Sequence, residues 1–191
     1  MLQVHTTALP GVVIIEPKCF RDARGVFFES YQQARYHAHG IEDNWVQDNH
    51  SRSGANVLRG LHYQDLRAPM SKLVRCANGR IYDVAVDIRV GAPTFGQHVG
   101  VELSDENQRQ LLVPIGFAHG FVVLSASADV LYKCSGYYDA SAEGAIAWDD
   151  PQLAIAWPVT DPLVSARDVL APSLAEYLAA PAFHAAREHA R

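Results

Sequence analysis

Arg59, His62 and Gln64 fall close together in "RGLHYQ", between the apolar runs "NVL" and "KLVRC". A strand that faces only a core does not normally carry a cation, an imidazole and an amide in such quick succession. A second isolated histidine, His119, lies in "PIGFAHGF" among small residues that leave space around it. Each histidine alone reads more often as a structural residue, but two of them beside glycine on strand-like runs look like the wall of a pocket.

Arg59 and His62 are three positions apart, so a regular strand would send them to opposite faces. A bulge or bend at the intervening Gly60 would bring both into one cavity; without it Arg59 lies on the outer face. A histidine acts as a general base when a carboxylate orients it, and Asp83, Asp87 and Asp168 in "SARD" are candidates that spacing cannot rank. The ligand pattern of a metal site is missing, with no HxH, no HExxH and no cysteine pair near either histidine, so no metal is expected. Arg24, Arg59, Lys72 and Arg167 could line a pocket for phosphate, or each could be a solvated surface charge. Aromatics in "SGYYDA" and "GVFFES" could stack on a nucleobase or pack a sheet.

Strand signals dominate the elements that would position these residues. "VVIIEPKCF" and "GVFFESY", separated by "RDARG", predict a first strand pair, and "QQARYHAHG" a short helix stopped at Gly40 and leaning on the sheet. "KLVRCANGRIYDVAVDIRV" predicts a hairpin with Asn78-Gly79 as a type I′ turn. On its second arm Tyr82, Val84, Val86 and Ile88 alternate with Ile81, Asp83, Ala85 and Asp87, so the acids should face away from the larger apolar set. "QHVGVELSDENQRQLLVPIGFAHGFVVLS" supplies two further strands around "SDEN", and "ADVLYKCSGYY" and "GAIAWDDPQLAIAW" add others. Many short strands with turns between them predict an all-β sandwich or barrel. The strand core spans about 10–160, and a helical tail, about 165–191, has Ser173 as a cap and Pro181 as an interruption.

With 191 residues, 49% of them hydrophobic and 19% charged, the chain suits one compact domain over 1–191. A net charge of -5 gives no general attraction to nucleic acid or anionic membrane. Cys19, Cys76 and Cys134 are odd in number and widely spaced, which suggests reduced, buried thiols. No run resembles a signal peptide or a membrane span, so the cytoplasm is the expected compartment.

"FRDARGVFFES", "QDNHSRS", "LRGLHYQ", "KLVRCANGRIYDVAVDIRVGAPTFG", "LLVPIGFAHGFVVLS", "YKCSGYYDASAEGAIAWDDP" and "LVSARD" together resemble the dTDP-4-dehydrorhamnose 3,5-epimerase family, in order and in spacing, from about Phe20 to Asp168. The resemblance implies a jelly-roll (cupin) fold, a homodimer, no metal or cofactor, and a dTDP-4-keto-6-deoxyhexose as substrate. By position it implies His62 as catalytic base, Asp168 as its partner, Tyr132 as proton donor on the other side of the sugar, and Lys72 beside the C4 oxygen. Arg24, Glu29, Gln47, Asp48, Asn49, Arg59, His119, Glu143 and Arg167 match nucleotide-sugar contacts, and Tyr138 an aromatic beside the base. "YYDA" lacks a proline common after the paired tyrosines and "APMSK" replaces a glutamine-containing approach to the lysine, both bearing on loop shape.

The implied chemistry suits the residues. A C4 ketone acidifies the hydrogens on C3 and C5, neutral His62 can remove one, and cationic Lys72 can stabilise the enolate oxygen. Competing readings are an epimerase acting at C3 or C5 alone on a related sugar nucleotide, a metal-dependent cupin enzyme, and a non-catalytic sugar-binding jelly roll.

Overall fold

A computed structural model describes residues 2–185. β1 (Gln3–Thr6), β2 (Val13–Glu16), β3 (Cys19–Asp22) and β4 (Gly25–Phe28) precede a short helix, α1 (Gln33–His37). β5 (Gln47–Gly54), β6 (Val57–Gln64), β7 (Lys72–Asn78), β8 (Arg80–Asp87), β9 (His98–Ser104), β10 (Gln110–Val113), β11 (Phe117–Val123) and β12 (Ser127–Cys134) form the main body. β13 (Glu143–Ala145), β14 (Leu163–Val164), α2 (Ala166–Val169) and α3 (Leu174–Ala179) follow.

The strands build two facing sheets in the jelly-roll arrangement, ordered β1-β2-β10-β7-β12-β5 and β13-β6-β11-β8-β9, with β14 added in parallel to β6. β3 and β4 stand apart as a hairpin. Val74, Cys76, Val130, Ile81, Ala85, Phe117 and Phe121 fill the space between the sheets. Outside the second sheet, Leu61, Val84, Val86 and Ile88 pack against Leu174 and Tyr177 of α3. Outside the first, Ile15, Leu73 and Leu112 pack against Tyr36 of α1, so the helix leans on the sheet as its pattern predicts. The alternation on β8 also holds: Ile81 and Ala85 lie in the inter-sheet core, whereas Val84, Val86 and Ile88 face α3.

Several local expectations change. "VVIIEPKCF" is not one strand; it breaks at Pro17, which has no N–H for the ladder. Its first half pairs with β1 and β10, and its second half forms the β3–β4 hairpin. β7 and β8 are not a hairpin, because β7 pairs with β10 and β12 while β8 pairs with β9 and β11. Gly79 (φ +79°) carries the chain from one sheet to the other, and a Cβ there would collide with the Ser127 carbonyl. "QHVGVELSDENQRQLLVPIGFAHGFVVLS" holds three strands rather than two, and most of "GAIAWDDPQLAIAW" is not strand. In the tail, Ser173 and Glu176 make a capping box for α3, which ends before Pro181; residues 186–191 lie outside the described residues. No helix among the described residues is long and apolar enough to cross a membrane.

Candidate active site

The site begins with a local distortion of β6. His119 of β11 lies opposite His62 and Phe121 opposite Arg59, so Gly60 and Leu61 together face the single residue Gly120. This is a β-bulge, with Gly60 at φ +134° and a cis peptide between Gly60 and Leu61. Val57, before the bulge, packs in the inter-sheet core, whereas Leu61 and Tyr63 pack outward. The extra residue therefore restores Arg59 and His62 to the same inner face. Glycine is required on both strands: a Cβ on Gly60 would come within 2.5 Å of the Gly120 backbone, and one on Gly120 within 2.8 Å of the Arg59 carbonyl.

Parallel pairing of β14 with β6 carries the chain past Leu58 and into α2, whose first turn is capped by Ser165. That turn delivers Asp168 to the bulge. His62 Nε2 lies 2.7 Å from Asp168 Oδ1, and the Gly60 N–H donates to Asp168 Oδ2 at 3.3 Å. With Nε2 turned to the carboxylate, Nδ1 is the free nitrogen of His62. Burial lowers the His62 pKa, an effect only partly opposed by Asp168, which favours the neutral ring.

The facing sheet supplies the opposite wall. Lys72 pairs with Cys134, Cys134 with Gln47 and Tyr132 with Asn49, which places all five on one face. Tyr132 packs against the inter-sheet core, so that face points toward His62. Burial raises the Tyr132 pKa and keeps its phenol protonated. Burial also lowers the Lys72 pKa, partly offset by the nearby Cys134, Asp83 and Glu143. Asn49 donates to Cys134 Sγ at 3.5 Å, and Gln47 donates to Asn49 at 3.0 Å.

Glu143, opposite Gln64 on β13, accepts from Arg167 at 2.6 and 2.9 Å and from the Tyr138 hydroxyl at 2.8 Å. Burial pushes the Glu143 carboxyl up, but Arg167 and Tyr138 outweigh it and hold the pKa below the usual range. Gln47 links Tyr138 to the same network by accepting from its backbone N–H at 3.1 Å. Arg59 Nε donates to Ser53, leaving the rest of its exposed guanidinium available.

Asp83, Asp87 and Asp168 have distinct partners. Asp168 meets His62, Asp83 meets His119 at 2.9 Å, and Asp87 is occupied by Arg89 and Thr94. Three expected contact residues stand outside the cluster. Arg24, with its side chain 90% exposed, pairs with Asp22 on the β3–β4 hairpin, and Glu29 pairs with Arg35. Asp48 pairs with Lys133, which packs over Tyr31. No hydrogen bond or ion pair among the described residues joins these three to His62. Gln64, Ser53 and Cys134 belong to the site's surroundings; their signal in the sequence is the strand parity they share with His62, Asn49 and Tyr132. Among the described residues no group of three or more His, Cys, Asp or Glu is gathered as a metal site would require.

A family profile described as dTDP-4-dehydrorhamnose 3,5-epimerase matches residues 6–176. The dTDP-4-dehydrorhamnose 3,5-epimerase of Salmonella typhimurium is 54% identical over 180 residues, covering 93% of this chain and 98% of that protein. The crystal structure of a Legionella pneumophila dTDP-6-deoxy-D-glucose-3,5-epimerase in complex with dTDP-4-keto-L-rhamnose superposes with a TM-score of 0.93 at 49% identity, covering 97% of this chain and 100% of that one. ChmJ, a 3'-monoepimerase from Streptomyces bikiniensis crystallised with dTDP-quinovose, superposes at 0.86 with 33% identity, covering 92% and 89%. With a matching profile over most of its length and relatives this similar, the chain belongs to the dTDP-4-dehydrorhamnose 3,5-epimerase family.

Proposed function

We infer that the protein is an isomerase that inverts C3 and C5 of a dTDP-4-keto-6-deoxyhexose, giving dTDP-4-dehydro-L-rhamnose. The observation that carries the mechanism is the placement of a carboxylate-held imidazole on one sheet and a buried phenol with a lysine on the sheet facing it. His62 Nδ1 takes the proton from C3 or C5, and the C–H electron pair moves into the enolate, placing negative charge on the C4 oxygen. The Lys72 ammonium meets that charge. Tyr132 returns a proton to the same carbon from the opposite face, which inverts it, and a second cycle inverts the other centre.

In this mechanism Asp168 fixes the His62 tautomer and stabilises the imidazolium formed. Arg59, Arg167, Gln47, Asn49, Glu143, His119 and Tyr138 hold the nucleotide sugar, Arg59 and Arg167 by their affinity for phosphate and Tyr138 by its exposed ring. Asp48 is a further contact to the nucleotide sugar, reached from beside Asn49 on β5, although its carboxylate pairs with Lys133 in the free chain. The whole chain works as one domain without a cofactor, in the cytoplasm, a setting supported by free thiols at Cys19, Cys76 and Cys134.

The working unit is a homodimer. Phe20, Val26 and Phe27 of the β3–β4 hairpin are exposed apolar residues. Arg24 and Glu29 belong to that arm and its base, so a second copy is the natural receiver of both.

Incubation with dTDP-4-keto-6-deoxyglucose in deuterated water, followed by NMR, tests the reaction. Deuterium should enter C3 and C5 with inversion at both. Exchange confined to one centre would make the protein a single-centre epimerase, and exchange at neither would overturn the assignment.

A further inference from the structure

The site holds two carboxylate–imidazole pairs, and the mechanism above gives a role to the carboxylate of only one. Asp83 on β8 and His119 on β11 lie on the inner face of the second sheet, with His119 Nε2 2.9 Å from Asp83 Oδ1. His119 stands directly across from His62, so the second imidazole borders the first on the same wall. Both partners are buried, Asp83 completely.

Stability does not account for the second pair. Ile81 and Ala85, the neighbours of Asp83 on its strand face, belong to the inter-sheet core. Asp83 Oδ2 is buried and has no hydrogen-bond partner among the described residues. A buried carboxyl group with one oxygen unsatisfied opposes folding, and an apolar side chain would suit this position better. Asp87, two positions along the same strand face, shows the structural alternative: Arg89 and Thr94 engage both of its oxygens.

We propose that Asp83 is a positioning residue: by accepting from Nε2–H it fixes the tautomer of His119 and leaves Nδ1 unprotonated, to accept a hydrogen bond from a hydroxyl of the bound sugar. A neutral imidazole has one donor and one acceptor, so the nitrogen that faces the carboxylate must be the donor. His62 and His119 then offer the substrate two lone pairs from the same wall, one for a C–H and one for an O–H. The ligand in this proposal rests on the epimerase reading; the tautomer does not.

Nitrogen-15 NMR of the free wild-type protein reads the tautomer directly, and neutral His119 should carry its proton on Nε2. Asp83→Asn keeps the size and removes the charge; where its amide N–H turns to the ring the tautomer reverses, which the same nitrogen-15 spectrum of the variant reads. KM for the 4-keto sugar nucleotide should then rise about tenfold, whereas a change in kcat reads the separate loss of the Asp83 charge near Lys72. Affinity for dTDP alone should not change, because the lost contact is to the sugar. In a His119→Asn background, Asp83→Asn should add nothing. A wild-type His119 protonated on Nδ1, weakened dTDP binding, or a further rise in KM in that background would each overturn the proposal. The tautomer measurement decides the matter even if Asp83→Asn folds poorly. A failure of the epimerase reading would appear separately, as wild-type protein without exchange at C3 or C5.

Discussion

His62 must start neutral to accept a proton, and two opposing influences set how far into acid it stays so. Burial lowers its pKa and Asp168 raises it. Because burial wins, the acid limb of kcat/KM should lie below the ordinary imidazole value of about 6.5. Asp168→Asn removes the influence that raises the pKa, so the limb should move to still lower pH while kcat falls. Movement toward higher pH would show that Asp168 does not act on His62 as a negative charge. His62→Ala should reduce turnover by roughly 10²- to 10⁴-fold with dTDP binding nearly intact; calorimetry and a progress assay separate these effects. Tyr132→Phe keeps the ring but loses the acidic proton. It should uncouple the reaction, so that deuterium still enters through His62 on the original face while inversion fails; inversion at the wild-type rate would assign the donor elsewhere. At this scale the sequence distinguishes residue types but not pairings. Asp168 lies 106 residues from His62 in the chain, and no spacing rule could prefer it over Asp83 or Asp87.

The bulge in β6 is the element on which the site depends. The three-residue spacing of Arg59 and His62, with glycine between, points to it because strand parity otherwise separates the two side chains. The Gly120 that receives it was visible only as a small residue beside His119. Gly60→Ala should lower stability by about 1–3 kcal/mol, given its positive φ and the backbone it would strike, and should abolish activity by turning His62 out of the cavity. Gly54→Ala, where a Cβ meets open space, should stay within about 0.5 kcal/mol of wild type. Thermal unfolding of the two variants makes the comparison; equal stabilities would mean that the bulge tolerates a side chain. Asn78-Gly79 shows where local reading stops. A glycine with positive φ between two β-rich arms serves a hairpin and a crossing between sheets equally well, and only long-range pairing decides that β7 joins β12 and β8 joins β11. Pro17 was a readable break in the sequence, since a proline inside an apparent strand marks an edge or an end.

At the scale of the whole molecule, the all-β class was legible from alternation and turn spacing, whereas the division of strands between sheets was not. On the homodimer reading, Arg24 and Glu29 serve a site shared between two chains. Arg24 is almost fully exposed on a hairpin that also exposes Phe20 and Phe27, and its only hydrogen-bond partner among the described residues is Asp22. If the arm of one subunit completes the site of the other, as the homodimer reading holds, each active centre takes His62 from one chain and Arg24 from its partner. Mixing the two variants, at substrate too dilute to saturate Arg24→Ala, then distinguishes the arrangements. In a dimer of Arg24→Ala with His62→Ala, one centre loses both residues and the other keeps both, so activity returns. Random mixing of equal amounts should restore about a quarter of the wild-type rate, since half of the dimers are mixed and each has one intact centre of two. If Arg24 serves its own chain, every centre in the mixed dimer lacks one residue or the other. Subunit exchange confirmed by native mass spectrometry, with activity remaining at the level of the separate variants, would rule out the shared site.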